Sequence, residues 1–162
     1  MAQSGPEPGP VGAPPGYGLD KAESQPGERL PWAEVAGWFE RSRNYWIVTA
    51  SPEGRPHAMP VWGVWLDGTV WFGTNPDSRK ARNLKADARL VVHLESGDDV
   101  GILEGEVELR TEPDVARRFT EAFNEKYDAG LDLKGTFVLR PQVGFSWRES
   151  DFVETATRWR FT

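Results

Sequence analysis

Residues 74–84, TNPDSRKARNL, combine the residue types that hold an anion. A strand-like run ends at Thr74, and Pro76 and Asp77 turn the chain. Asp77 or Ser78 suits the cap of a helix over about residues 78–86. Arg79, Lys80 and Arg82 fall in the first turns of that helix. Its free N–H groups and positive dipole end attract negative charge, and basic side chains there work against the helix itself. The pattern fits an anion site. It also fits a solvated, charged helix.

Two further segments carry chemistry-bearing residues. In His57-Ala-Met-Pro-Val-Trp62, Pro60 interrupts a strand and belongs at an edge or a bulge. Backbone groups beside such a proline stay free to hydrogen-bond the rim of a planar ring. A plain barrel strand with a bulge reads the same way. In Ala156-Thr-Arg-Trp-Arg-Phe161, alternation sets Arg158 and Arg160 on one face and Trp159 and Phe161 on the other. These arginines suit either a site or exposed ion pairs of small value.

Composition removes many other chemistries. The 162 residues contain no cysteine, which excludes disulfides, thiol catalysis and cysteine-ligated metals. Two histidines, His57 and His93, are too few for a three-histidine metal site, and no metal site is expected. Net charge is −6, which repels phosphate backbones, so no nucleic-acid partner is expected. No run of about 18 apolar residues occurs, so no membrane span is expected. A signal-peptide pattern is not seen either, and the expected location is the cytoplasm. Eight tryptophans suit core filling or aromatic walls around a planar ligand.

The elements that must position these residues follow from periodicity. Residues 1–29 are rich in Pro, Gly and small polar residues and read as a flexible tail ahead of a domain over 30–162. Pro31 opens a helix to about residue 43, with Val35, Trp38 and Phe39 on one face. Strands are expected over 44–51, 56–66 and 69–74, the last two joined by a hairpin at Asp67-Gly68. Further strands are expected over 89–95 and 100–110, with bends at Gly101 and Gly105. A second clear helix spans about 112–127. Strands over 136–140, 143–147 and about 155–161 finish the chain. Six to eight short, hairpin-linked strands with two or three peripheral helices make a mainly β (α+β) antiparallel barrel.

The order of these motifs resembles the pyridoxamine 5′-phosphate oxidase-like flavin/deazaflavin oxidoreductase superfamily, which has an FMN-binding split β-barrel. The resemblance rests on GRPHAMPVWGVWLDGTVWFGT, then SRKARNL, then RLVVHLE leading to EGEVELRTEPD. The MPVW strand and the closing ATRWRF look most like its actinobacterial branch, which uses coenzyme F420.

The resemblance implies a homodimer with the cofactor in a groove between subunits. It assigns the cofactor phosphate to Thr74, Ser78, Arg79, Lys80 and Asn83, and the ring to Met59, Pro60, Val61 and Trp62. Trp147, Arg158 and Trp159 of the second subunit are the candidates that close the site. No catalytic residue is assigned, since the cofactor carries the hydride; Arg55 and Arg158 are candidates to offset charge on the substrate. The implied activity is hydride transfer between coenzyme F420 and a planar, conjugated small molecule. The alternatives are an FMN-dependent oxidoreductase of the same fold, or a non-catalytic F420- or FMN-binding or storage protein. The further basic and histidine residues that hold a phosphorylated vitamin B6 substrate have no counterpart here.

Overall fold

The computed structural model describes residues 5–11 and 30–162. Its elements are β1 (Glu7–Val11), α1 (Trp32–Arg41), β2 (Asn44–Ala50), β3 (Pro56–Leu66), β4 (Thr69–Phe72) and α2 (Arg79–Ala86). They continue as β5 (Arg89–His93), β6 (Asp99–Arg110), α3 (Pro113–Tyr127), β7 (Thr136–Arg148), a single 3₁₀ turn (Glu149–Asp151), α4 (Phe152–Thr155) and β8 (Thr157–Arg160).

All pairings are antiparallel, in the order β1-β8-β7-β4-β3-β2-β5-β6. A β6–β7 ladder closes the six strands β7-β4-β3-β2-β5-β6 into a barrel. Strands β8 and β1 extend from β7 outside it. The split-barrel architecture expected from the sequence is therefore present.

Local chemistry explains the joints. At the β3–β4 hairpin, Asp67 and Gly68 take φ of 51° and 75°, the left-handed pair that a two-residue turn between twisted strands requires. Residues 136–147, expected as two strands broken at Pro141, form one continuous strand. The ladder shifts register there: Glu104 pairs with Val143 but Gly105 pairs with Pro141. The extra residue absorbs the N–H that proline lacks. A Cβ on Gly105 would lie 2.1 Å from the Arg140 carbonyl oxygen, so this bulge demands glycine.

Two further differences concern the ends. Within the expected tail, Glu7–Val11 pairs with β8; residues 1–4 and 12–29 lie outside the described residues. Residues 149–155 are helical, and the last strand is confined to Thr157–Arg160. Polar groups of 149–155 find local partners, such as Thr155 Oγ1 donating to the Asp151 carbonyl at 2.7 Å, a pattern that periodicity does not display.

Inside the barrel, Phe39 from α1 meets Tyr45, Ile47, Phe72, Leu103 and Leu139, all fully buried. Burying each such side chain stabilises the fold by about 1.5–3 kcal/mol. The Tyr45 phenol donates to the Phe39 carbonyl at 2.6 Å, which removes the penalty of burying it. On the outer surface, α3 lays Val115, Phe119 and Phe123 over Val64 and Trp71. That cover stops near Trp62. Among the described residues, no helix is long and apolar enough to cross a membrane.

Candidate functional site

The start of α2 is built by a compact set of turns. Asn75 Oδ1 accepts the Asp77 N–H at 2.8 Å, and the Asn75 carbonyl accepts the Ser78 N–H at 3.0 Å. Ser78 caps the helix, its Oγ accepting the Ala81 N–H at 3.2 Å, with the Thr74 hydroxyl 3.1 Å away. Arg82 folds back and donates to the Asp77 carbonyl at 2.7 Å. No acidic residue occupies the first turn. Among the described residues, no carboxylate lies within ion-pair distance of Arg79 or Lys80.

His57 stands close to the same two cations. It sits on β3 opposite Thr49, and its Nδ1 is buried without a hydrogen-bond partner. Burial, with the charges of Arg79 and Lys80, holds its imidazole below the usual histidine range. A capped helix start with two unpaired cations and an orphaned ring nitrogen fits an anionic group such as a phosphate.

Asn83 takes a different position. It is 4 % exposed, and its amide donates to the Thr49 hydroxyl at 2.9 Å. It fastens α2 to β2 on the inward face of the helix, away from the basic side chains.

Next to this site lies an open groove of about 930 Å³. Trp62 from β3 and Thr74, Asn75 and Pro76 from the β4–α2 loop form one side. Ala81, Leu84 and Lys85 of α2 supply a second wall, and Val107 and Leu109 of β6 a third. Phe123 of α3, with Leu131, Leu133, Lys134 and Gly135 of the loop that follows it, forms a further side. Trp62 is 43 % and Leu109 58 % exposed, both large apolar groups open to solvent.

Strand parity sorts the residues expected to contact a ring onto two faces: Met59, paired with the buried Ile47, shares the face of Val61, and Pro60 shares the opposite face with Trp62. Val61 points into the core opposite Tyr45. Met59, Pro60 and Trp62 are exposed. Strand β4 reaches only Gly63–Leu66 of β3, so the earlier half of β3 is paired only with β2. Pro60 lies in this half, as an edge proline should.

The strand register joins two segments that looked separate in the sequence. Pro60 pairs with Trp46, Trp46 with His93, His93 with Ile102, Ile102 with Phe145 and Phe145 with Arg158. Directly paired residues share a face. This cross-strand row is half-buried except at its exposed ends, Pro60 and Arg158. The Trp46 and His93 rings lie parallel, 5.9 Å apart and 4° from coplanar orientation.

The late-chain candidates fall apart. Trp159 is 3 % exposed, its indole N–H donates to Ser146 Oγ at 2.8 Å, and it packs edge-on against Trp32. An indole enclosed in its own core has no face to offer a second subunit. Trp147 is half-buried against Phe152. Arg158 is exposed on β8, and Arg55 is exposed in the β2–β3 turn. Neither arginine lines the groove.

Sequence reasoning missed the groove walls from β6, α3 and residues 131–135. Leu131 and Leu133 sit in a Gly/Asp-containing loop without period, and only the fold brings them beside Leu109 in a shared surface. Tyr127, whose ring stacks on Trp62 with centroids 4.5 Å apart, was read only as the end of a helix.

Comparison with known proteins agrees with this architecture. The family model described as pyridoxamine 5′-phosphate oxidase matches residues 31–148. No curated protein matches the sequence. Among solved structures, a conserved hypothetical protein from Mycobacterium tuberculosis is 28 % identical with a TM-score of 0.66, over 74 % of this chain and 85 % of that one. An F420 reductase is 23 % identical with a TM-score of 0.55, over 67 % and 93 % of the two chains. A heme binding protein from Mycobacterium smegmatis is 25 % identical with a TM-score of 0.59, over 74 % of this chain and 55 % of that one. With its six-stranded closed barrel and a family match across most of its length, the chain belongs to the pyridoxamine 5′-phosphate oxidase family.

Proposed function

We propose that this chain is a cytoplasmic, homodimeric oxidoreductase that binds coenzyme F420 and transfers hydride between the deazaflavin and a planar, conjugated small molecule. The observation that carries the reading is the pair of unpaired cations, Arg79 and Lys80, at the capped start of α2, beside an aromatic-walled groove. Arg79 and Lys80, with the Thr74 and Ser78 hydroxyls and the first N–H groups of α2, would hold the phosphate. Pro60 and Trp62, which share one face of β3, would lie against the ring, whereas Met59 is on the other face. When bound, the deazaflavin supplies the hydride chemistry, so the chain needs no acid–base pair of its own.

The residues of the chain do the rest. Trp62, Leu109 and Phe123 exclude water and form an apolar slot for a flat acceptor. Basic residues near Arg79 and Lys85 attract the anionic tail of the cofactor. Arg158 of the second subunit would offset charge on the substrate, as would Arg55. The row from Pro60 to Arg158 supports the dimer, because Trp46, Ile102 and Phe145 remain partly open across adjoining strands, an apolar surface suited to a second copy.

Titration with coenzyme F420 and with FMN under identical conditions tests the cofactor. F420 binding in preference to FMN is expected. Tight FMN binding with no F420 binding overturns the deazaflavin assignment in favour of a flavin enzyme. Binding of F420H₂ with no oxidation across a broad acceptor panel overturns the catalytic assignment in favour of storage. Light scattering that shows a monomer at micromolar concentration removes the dimer.

A further inference from the structure

The last two residues of α3, Lys126 and Tyr127, close on a single residue of β3, Gly63. The β2–β3 ladder ends where Asn44 pairs with Trp62. Its next rung would set Arg43 against Gly63, and the Tyr127 hydroxyl occupies that rung. It accepts the Gly63 N–H at 2.9 Å and lies 2.6 Å from the Arg43 carbonyl and 2.7 Å from the Gly63 carbonyl, sharing its one proton between them. Lys126 Nζ donates to the same Gly63 carbonyl at 2.9 Å and to the Tyr45 hydroxyl at 3.3 Å. Tyr45 gives its own proton to Phe39, so its oxygen is free to accept.

The rings follow from this anchoring. Tyr127 lies flat against Trp62, 2° from parallel. Phe123, one turn earlier, supports the indole at 6.0 Å, and the Arg43 guanidinium stands 5.9 Å from both stacked rings. Without this backing, an exposed indole at the end of a ladder would be free to change rotamer.

We infer that Lys126 and Tyr127 are positioning residues for Trp62: they lock Gly63, the residue that follows it, and back its indole, so that the groove keeps one fixed aromatic wall. The value of that wall to a bound ring rests on the proposed function; the lock itself does not.

The test separates the two. The protein is labelled with 5-fluorotryptophan, and the Trp62 ¹⁹F signal is identified by its loss in Trp62→Phe. Tyr127→Phe keeps the ring and removes only the bridging hydroxyl; Lys126→Met removes the second anchor. Both are expected to shift and broaden the Trp62 signal while the Trp38 and Trp159 signals stay in place. Both are also expected to raise the dissociation constant of FMN or F420, whichever the wild type binds, severalfold. A Trp62 signal unchanged in both variants overturns the lock. Selective movement of the Trp62 signal in a protein that binds neither cofactor supports the lock and overturns only the proposed function.

Discussion

Asn83 and Thr49 meet across the contact between α2 and β2, amide nitrogen to hydroxyl, at 2.9 Å. Both are buried. The pair sets the distance between α2 and the barrel wall, so the helix start that carries Arg79 and Lys80 is positioned by a residue on the opposite, buried face of the helix. Asn83→Ala leaves the Thr49 hydroxyl buried without its donor, a loss of about 1–3 kcal/mol. The expected result is a lower urea midpoint with an unchanged slope. A midpoint equal to the wild type would show that the pair contributes nothing to stability.

Lys80→Ala should behave in the opposite way. Lys80 has no carboxylate partner among the described residues, and it stands where the helix dipole disfavours a cation. Removing it should leave thermal stability unchanged or slightly raised. Cofactor binding should weaken severalfold or more through loss of a charge-assisted phosphate contact, with the largest effect at low salt. Calorimetric titration at two salt concentrations measures this, and an unchanged dissociation constant removes Lys80 from the site.

The contrast between these residues marks what the sequence could convey. Arg79, Lys80 and Asn83 lie within five positions, and the family resemblance assigned all three to one phosphate. Helix geometry separates them, because Asn83 falls on the same buried face as Ala81 and Leu84. Turn chemistry was legible: Asp67-Gly68, the Ser78 cap and the edge position of Pro60 each follow from local backbone rules. Long-range register was not. The row from Pro60 to Arg158 crosses six strands, and no local pattern states which residues will pair. Trp159 shows the same limit, since alternation gives a face but not whether the inner face is core or interface.

Gly63 offers a sharper test of the β3 geometry. A Cβ there would lie 2.7 Å from the Trp71 carbonyl oxygen, with the Tyr45 ring at 3.2 Å and Phe72 Cβ at 3.3 Å. The nearest atom belongs to backbone and cannot swing aside. Gly63→Ala should therefore strain the β3–β4 pairing and cost about 1–3 kcal/mol. The strain should also disturb the rung that Tyr127 fills. Thermal unfolding gives the first effect and the Trp62 fluorine signal the second. A variant with wild-type melting would show that β3 and β4 separate there at little cost.

Lys126 gives the fold a pH dependence whose sign is fixed. Burial, aided by the charge of Arg43, pulls its amine from 10.5 down to about 8. The titratable groups around it are Arg43, Tyr45 and Tyr127, with Glu40 acting on Tyr45. Between about pH 8 and 10.5 the unfolded chain keeps the proton that the folded chain has lost, so this residue makes the fold relatively more stable as pH rises. Its contribution is lost again as pH falls through about 8. Burial pushes the Tyr45 phenol up, which lowers stability only above the ordinary tyrosine value of 10.0, so measurements below that pH isolate the lysine. Urea midpoints of the wild type should climb relative to Lys126→Met between pH 7.5 and about 9.5. Parallel profiles would mean that the Lys126 amine titrates as a solvated lysine, and that the contact with Gly63 does not desolvate it.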